Sequence, residues 1–111
     1  MANFIIEEFT TYKVFLYGRK YKGRTYYGID LHLPSGTAFL RFSHDDKREN
    51  HCVEQGDKKY YHIFLDKEKF PAFIDILRNE KPLFFYYDFE DDSTYITTSD
   101  EPVGENEDSA E

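Results

Sequence analysis

Residues 12–42 read YKVFLYGRKYKGRTYYGIDLHLPSGTAFLRF, and their period of two predicts three consecutive strands. In the first, Val14 and Leu16 are expected toward a core, with Lys13, Phe15, Tyr17 and Arg19 projecting from the other side. Lys22-Gly23-Arg24 reads as a tight turn. The second strand should direct Tyr27, Ile29, Leu31 and Leu33 to one face and Tyr26, Gly28, Asp30 and His32 to the other. Pro34-Ser35-Gly36 supplies the next turn. The third strand then sets Leu40 and Phe42 against Phe39 and Arg41.

Further along, residues 43–59 are polar and read as a long mobile loop, a length that in compact domains is often functional. Tyr60–Leu65 alternates again, with Tyr61, Ile63 and Leu65 opposite Tyr60, His62 and Phe64. Phe70, Phe73, Ile74 and Leu77 have the i, i+3, i+4, i+7 spacing of a one-sided helix. Because Pro71 is tolerated in a first turn only, that helix should start near Glu68–Phe70 and end near Glu80. Leu83–Phe89 and Thr94–Thr98 read as a closing hairpin around Asp91-Asp92-Ser93. The expected fold is α+β: a twisted antiparallel sheet of five or six strands in the order ββββα-ββ, with one helix on one face. Residues 1–99 form the single domain, and 100–111 are expected to be a disordered acidic tail.

Charge is divided along the chain. Residues 1–87 carry all 14 Lys and Arg against 12 of the 22 carboxylates, whereas residues 88–111 carry the other ten and no cation. The net charge of −8 therefore hides a near-neutral body joined to a strongly negative end. Between Glu8 and Asp30 there is no carboxylate, yet five cations are interleaved with aromatics. Ten Tyr and eleven Phe in 111 residues suit half-buried strand faces better than a closed core. The single Cys52 precludes an intrachain disulfide and fits a reducing cytoplasm. Met1-Ala2-Asn3-Phe4 begins neither a basic leader nor a long apolar run, so no signal peptide and no membrane span are expected.

The segment His62-Ile63-Phe64-Leu65-Asp66-Lys67-Glu68-Lys69-Phe70-Pro71-Ala72-Phe73 resembles the strand-to-helix junction of bacterial PUR-α-like proteins. The turn Lys22-Gly23-Arg24-Thr25-Tyr26-Tyr27 is similar to their first hairpin, and four strands followed by a helix is the unit of the PC4, Whirly and PUR-α-like single-stranded nucleic-acid-binding domains. The likeness spans about Tyr12–Leu77, and the chain differs from the pattern in Pro71, in the acidic closing hairpin and in the long 43–59 segment. The resemblance implies bases stacked on the exposed aromatics of the sheet and phosphates held by strand cations; no cofactor or metal is expected from the residues. It also implies a homodimer. The matching positions are Lys13, Phe15, Tyr17, Arg19, Lys22, Arg24, Tyr26 and Arg41.

The residues support that surface independently, since Lys13-x-Phe15-x-Tyr17-x-Arg19 puts π-faces and cations on one side of a strand. The competing reading is a face covered by the helix or by a partner chain. The acidic end has readings of its own: a tail that competes for the protein's own groove, a solubilising tail, or a module that binds a basic protein. In the last case Asp88, Glu90, Asp91 and Asp92 on the closing hairpin, with Asp100 and Glu101, would imitate DNA phosphates and inhibit a nucleic-acid-binding enzyme. Catalysis is not expected. His44, His51 and Cys52 match no structural zinc spacing, there is no phosphate-cradling glycine loop, and Asp91-Asp92 suits a turn.

Overall fold

The computed structural model describes residues 3–21, 25–44 and 47–100, with the side chains of 18–21 and 25 excepted. Its elements are β1 (Phe4–Phe9), β2 (Thr11–Tyr21), β3 (Thr25–Leu33), β4 (Gly36–Ser43), β5 (His51–Gln55), β6 (Lys58–Asp66), a 3-10 turn (Lys67–Lys69), α1 (Phe70–Asn79), β7 (Leu83–Asp88) and β8 (Thr94–Thr97). The α+β class and the helix limits agree with the sequence reading. The sheet does not: the strands form two sheets, ordered β2-β3-β4-β6-β5 and β1-β7-β8.

Two corrections explain the difference. First, residues 43–59 are not one loop, because they contain β5, which folds back antiparallel on β6. This excursion returns the chain beside β4 in the same direction, so β4 and β6 pair in parallel rather than antiparallel. Asn50 fastens the connection, accepting the Phe64 amide at 2.8 Å and donating to the Asp92 carbonyl at 3.2 Å. Second, the closing hairpin does not extend the main sheet. β7 pairs instead with β1, from Phe4 opposite Asp88 to Phe9 opposite Leu83.

Gly36 makes the parallel pair possible. A Cβ there would lie 1.8 Å from the Lys59 carbonyl oxygen, while the Lys59 amide donates to the Ser35 carbonyl at 2.9 Å. Only a residue without a side chain lets β6 approach the start of β4 so closely.

The core lies on the inner face of the large sheet. Ile29, Leu31, Ala38, Leu40, Phe42, Tyr61 and Ile63 are buried there. Two covers share this face. α1 lies over one part: the Phe70 ring stacks on Tyr27 at 4.2 Å, and Phe42 meets Phe70 and Phe73 edge-on at 5.3 and 5.4 Å. The small sheet covers another, with Phe85 and Tyr87 each 5.1 Å from the Tyr61 ring. Each fully buried ring of this kind contributes about 2–3 kcal/mol of burial. Pro71 sits in the first turn of α1, where its missing N–H costs nothing.

A polar latch joins the sheets. Ser35 donates to Glu7 through both its hydroxyl (2.7 Å) and its amide (3.3 Å). Its Oγ lies 3.1 Å from the Tyr61 hydroxyl, and with the Ser35 proton committed to Glu7, Tyr61 is the donor. Burial pushes the Tyr61 phenol up to about 12, so it stays a donor at neutral pH.

Val14 and Leu16 are the remaining correction. Their registers opposite Ile29 and Tyr27 set them on the inner side, as expected, but they are 37% and 69% exposed. β2 is an edge strand, and neither cover reaches that far.

Candidate functional site

Alternation exposes the opposite face of the large sheet, and the registers order its side chains into rows. One row runs Phe15, Gly28, Arg41, Phe64. The next runs Lys13, Asp30, Phe39, His62, His51, and a third passes through Thr37, Tyr60 and Val53. Directly paired residues share a face at about 5 Å spacing, so the rings come within contact. Phe15 and Tyr17 lie nearly parallel at 6.3 Å, and Phe39 stacks with Tyr60 at 6.1 Å and with His62 at 5.3 Å. His51 stacks with His62 at 4.8 Å and with Phe64 at 6.1 Å.

Cations lie over these rings. Lys13 Nζ is 5.2 Å from the Phe15 centroid, the Arg41 guanidinium 5.1 Å from Phe39, and that of Arg48 4.4 Å from Phe64. The platform therefore alternates π-faces with positive charge across four strands. Gly28 leaves room at its centre. A Cβ there would meet the Tyr17 hydroxyl at 3.3 Å and Phe15 and Arg41 at 3.6 Å, so rings and guanidinium lean in over bare backbone.

One carboxylate tempers the charge. Asp30 pairs with Arg41 at 3.5 Å, and the facing atoms, Asp30 Oδ1 and Arg41 Nη1, are shielded from solvent without a well-aligned hydrogen bond. Arg41 is thereby held over Phe39 at the expense of part of its field. His62 is pushed down by burial first, then by His51 and Arg41, so it is neutral at pH 7. His51 Nδ1 lies 3.1 Å from the Glu49 carbonyl, which can only accept, so this nitrogen carries the proton.

Of the positions expected from the sequence, Lys13, Phe15, Tyr17 and Arg41 meet on this face. Tyr26 stands at the β-bulge between Thr25 and Tyr27, with Lys67 Nζ 5.5 Å over its ring. The Arg19 side chain and residues Lys22 and Arg24 lie outside the described set. Sequence reasoning missed Phe39, Tyr60, His62 and Phe64 as site residues, although their outward alternation was the available signal. Arg48 and His51 had none, because they join the face only through β5 and the segment leading into it.

Elsewhere the chemistry is plain. Cys52, opposite Tyr61, has its thiol pushed up by burial and then by Glu54, the reverse of an activated thiolate. Asp91 is held below the usual carboxylate range by the Ser93 amide, as in an Asx turn. Among the described residues no three His, Cys, Asp or Glu side chains converge as metal ligands. A cavity of about 540 Å³ near Tyr12, Leu77 and Pro82 mixes Glu8 and Glu80 with Arg78 and Lys81, so it favours neither sign of ligand. No described helix is long and apolar enough to cross a membrane. No family model, curated protein or solved structure matches the chain.

Proposed function

We propose that the outer face of the large sheet binds single-stranded DNA or RNA with little sequence preference. The observation that carries this reading is the arrangement of cations over rings: Lys13 on Phe15, Arg41 on Phe39 and Arg48 on Phe64. Every base has a π-face, so stacking is sequence-tolerant and contributes about 1–3 kcal/mol per base. The cations between the rings meet the phosphates, and the sequence carries further cations in Arg19, Lys22 and Arg24 with no carboxylate between Glu8 and Asp30. Single strands suit the site because a flat sheet reaches unstacked bases and not the edges of a duplex.

In this reading the acidic tail, residues 100–111, competes with nucleic acid for the platform. The exposed Val14 and Leu16 offer a homodimer an apolar strip on the side away from it. The test is ultraviolet crosslinking of a thymidine oligonucleotide, followed by peptide mapping. Adducts on Phe39, Tyr60 or Phe64 support the proposal, and adducts confined to α1 or the small sheet contradict it.

A further inference from the structure

The small sheet exposes a second aromatic face, and its charge is opposite. Phe4 and Ile6 on β1 are 42% and 54% exposed, and Tyr95 on β8 is 50% exposed. Tyr86 of β7 joins them, 5.3 Å from the Phe4 ring and stacked at 4.4 Å on Tyr95. Ile6 pairs with Tyr86 and Tyr86 with Tyr95, so the apolar side chains form one row across all three strands. Nothing among the described residues packs over that row, and an apolar patch of this kind marks a contact surface.

The charges carried by these three strands and their turn are all negative. Residues 3–10 and 83–100 contain no Lys, Arg or His. Glu7 and Asp92 are occupied by Ser35 and Tyr87. Glu8 lies on the exposed face opposite Phe84, and Asp88 opposite Phe4, where the Tyr86 hydroxyl donates to it at 3.5 Å. The turn beyond adds exposed Glu90 and Asp91.

This charge decides what can cover the row. A second copy docked symmetrically would set Glu8 and Asp88 against their own images, an arrangement that costs several kcal/mol of repulsion and desolvation. Nucleic acid carries the same sign. We propose that the Phe4–Ile6–Tyr86–Tyr95 face docks a basic amphipathic segment of a partner protein, whose aliphatic side chains cover the row while its Lys and Arg meet Glu8, Asp88 and Asp91. The protein then has two opposed contact surfaces, one cationic and one anionic, each built on aromatics. The second does not depend on what the first binds.

The test is titration of the isotopically labelled full chain with a short synthetic peptide alternating Lys and Val, followed by amide NMR. Peptides alternating Lys with Ser and Glu with Val serve as comparisons. The Lys–Val peptide should move the amide signals of Phe4–Glu8, Tyr86 and Thr94–Thr97, and bind at least tenfold more tightly than either comparison. The double variant Ile6→Ser, Tyr95→Ser should lose that preference while the signals of β3 and β4 stay in place. Equal binding of the Lys–Ser peptide, shifts confined to the large sheet or to residues beyond Asp100, or a symmetric dimer formed through β1 would each overturn the proposal. Oligonucleotide binding tests the large-sheet platform separately.

Discussion

The His51 and His62 rings stack 4.8 Å apart along the β5 edge of the outer face, although they lie eleven positions apart in sequence. Their contact gives pH dependence two opposite signs. His62 is depressed from 6.5 by burial, His51 and Arg41, so the unfolded chain binds its proton at a higher pH than the folded one. Stability is complete above pH 6.5 and falls as pH drops through the depressed folded value. Bound phosphate raises the same pKa, so oligonucleotide binding should take up protons and tighten as pH falls. Thermal melts and binding titrations from about pH 7.5 to 5.5 read both slopes, and His62→Gln should flatten both.

Gly36→Ala should be severe. The new methyl meets the Lys59 carbonyl where β4 and β6 begin to pair, and backbone must move to admit it. A loss of about 3 kcal/mol or more is expected from urea unfolding. The adjacent Thr37→Ala, which introduces no such clash, should cost about 1 kcal/mol or less.

The latch between the sheets should respond unequally to its two simplest deletions. Tyr61→Phe removes one hydrogen bond and leaves Ser35 bound to Glu7, at a cost of about 1 kcal/mol. Ser35→Ala removes both hydroxyl bonds, leaving Tyr61 without that partner and Glu7 with only the residue-35 amide, and should cost about 1–3 kcal/mol. Urea unfolding of the two variants orders them.

Asp30 opposes phosphate binding on the platform. Asp30→Asn keeps the shape of the side chain beside Arg41 and removes its charge. Oligonucleotide affinity should rise by about fivefold at low salt, the equivalent of about 1 kcal/mol, with the gain shrinking as salt screens it. Arg41→Gln should weaken binding and also destabilise the fold, because it strands the half-buried Asp30.

The legible parts of this fold were those whose signal is local. β2 to β4, β6 and α1 follow from periods of two and 3.6, and Pro71 marks the helix start. β5 was hidden because His51, Val53, Glu54 and Gln55 are all exposed, which leaves no apolar alternation to read. Strand direction was also hidden. Periodicity assigns Leu40 and Ile63 to one face, but the parallel pairing of β4 with β6 depends on where the intervening strand goes. The separate small sheet depends on Phe4 finding Asp88 across the whole chain. The same limits apply to the site. The β2 half of the platform, Lys13, Phe15 and Tyr17, was readable from one strand, whereas Phe39, His62 and His51 became neighbours only through non-local pairing.

The most direct measurement is fluorescence anisotropy of a labelled poly-thymidine oligonucleotide titrated with the full chain, with residues 1–99, and with the variant Phe39→Ala, Phe64→Ala. Binding by the full chain that weakens steeply with salt, tightens when the acidic end is removed and drops about tenfold or more in the variant is the expected result. No binding by any of the three at low salt, or full affinity in the variant, would contradict the nucleic-acid platform.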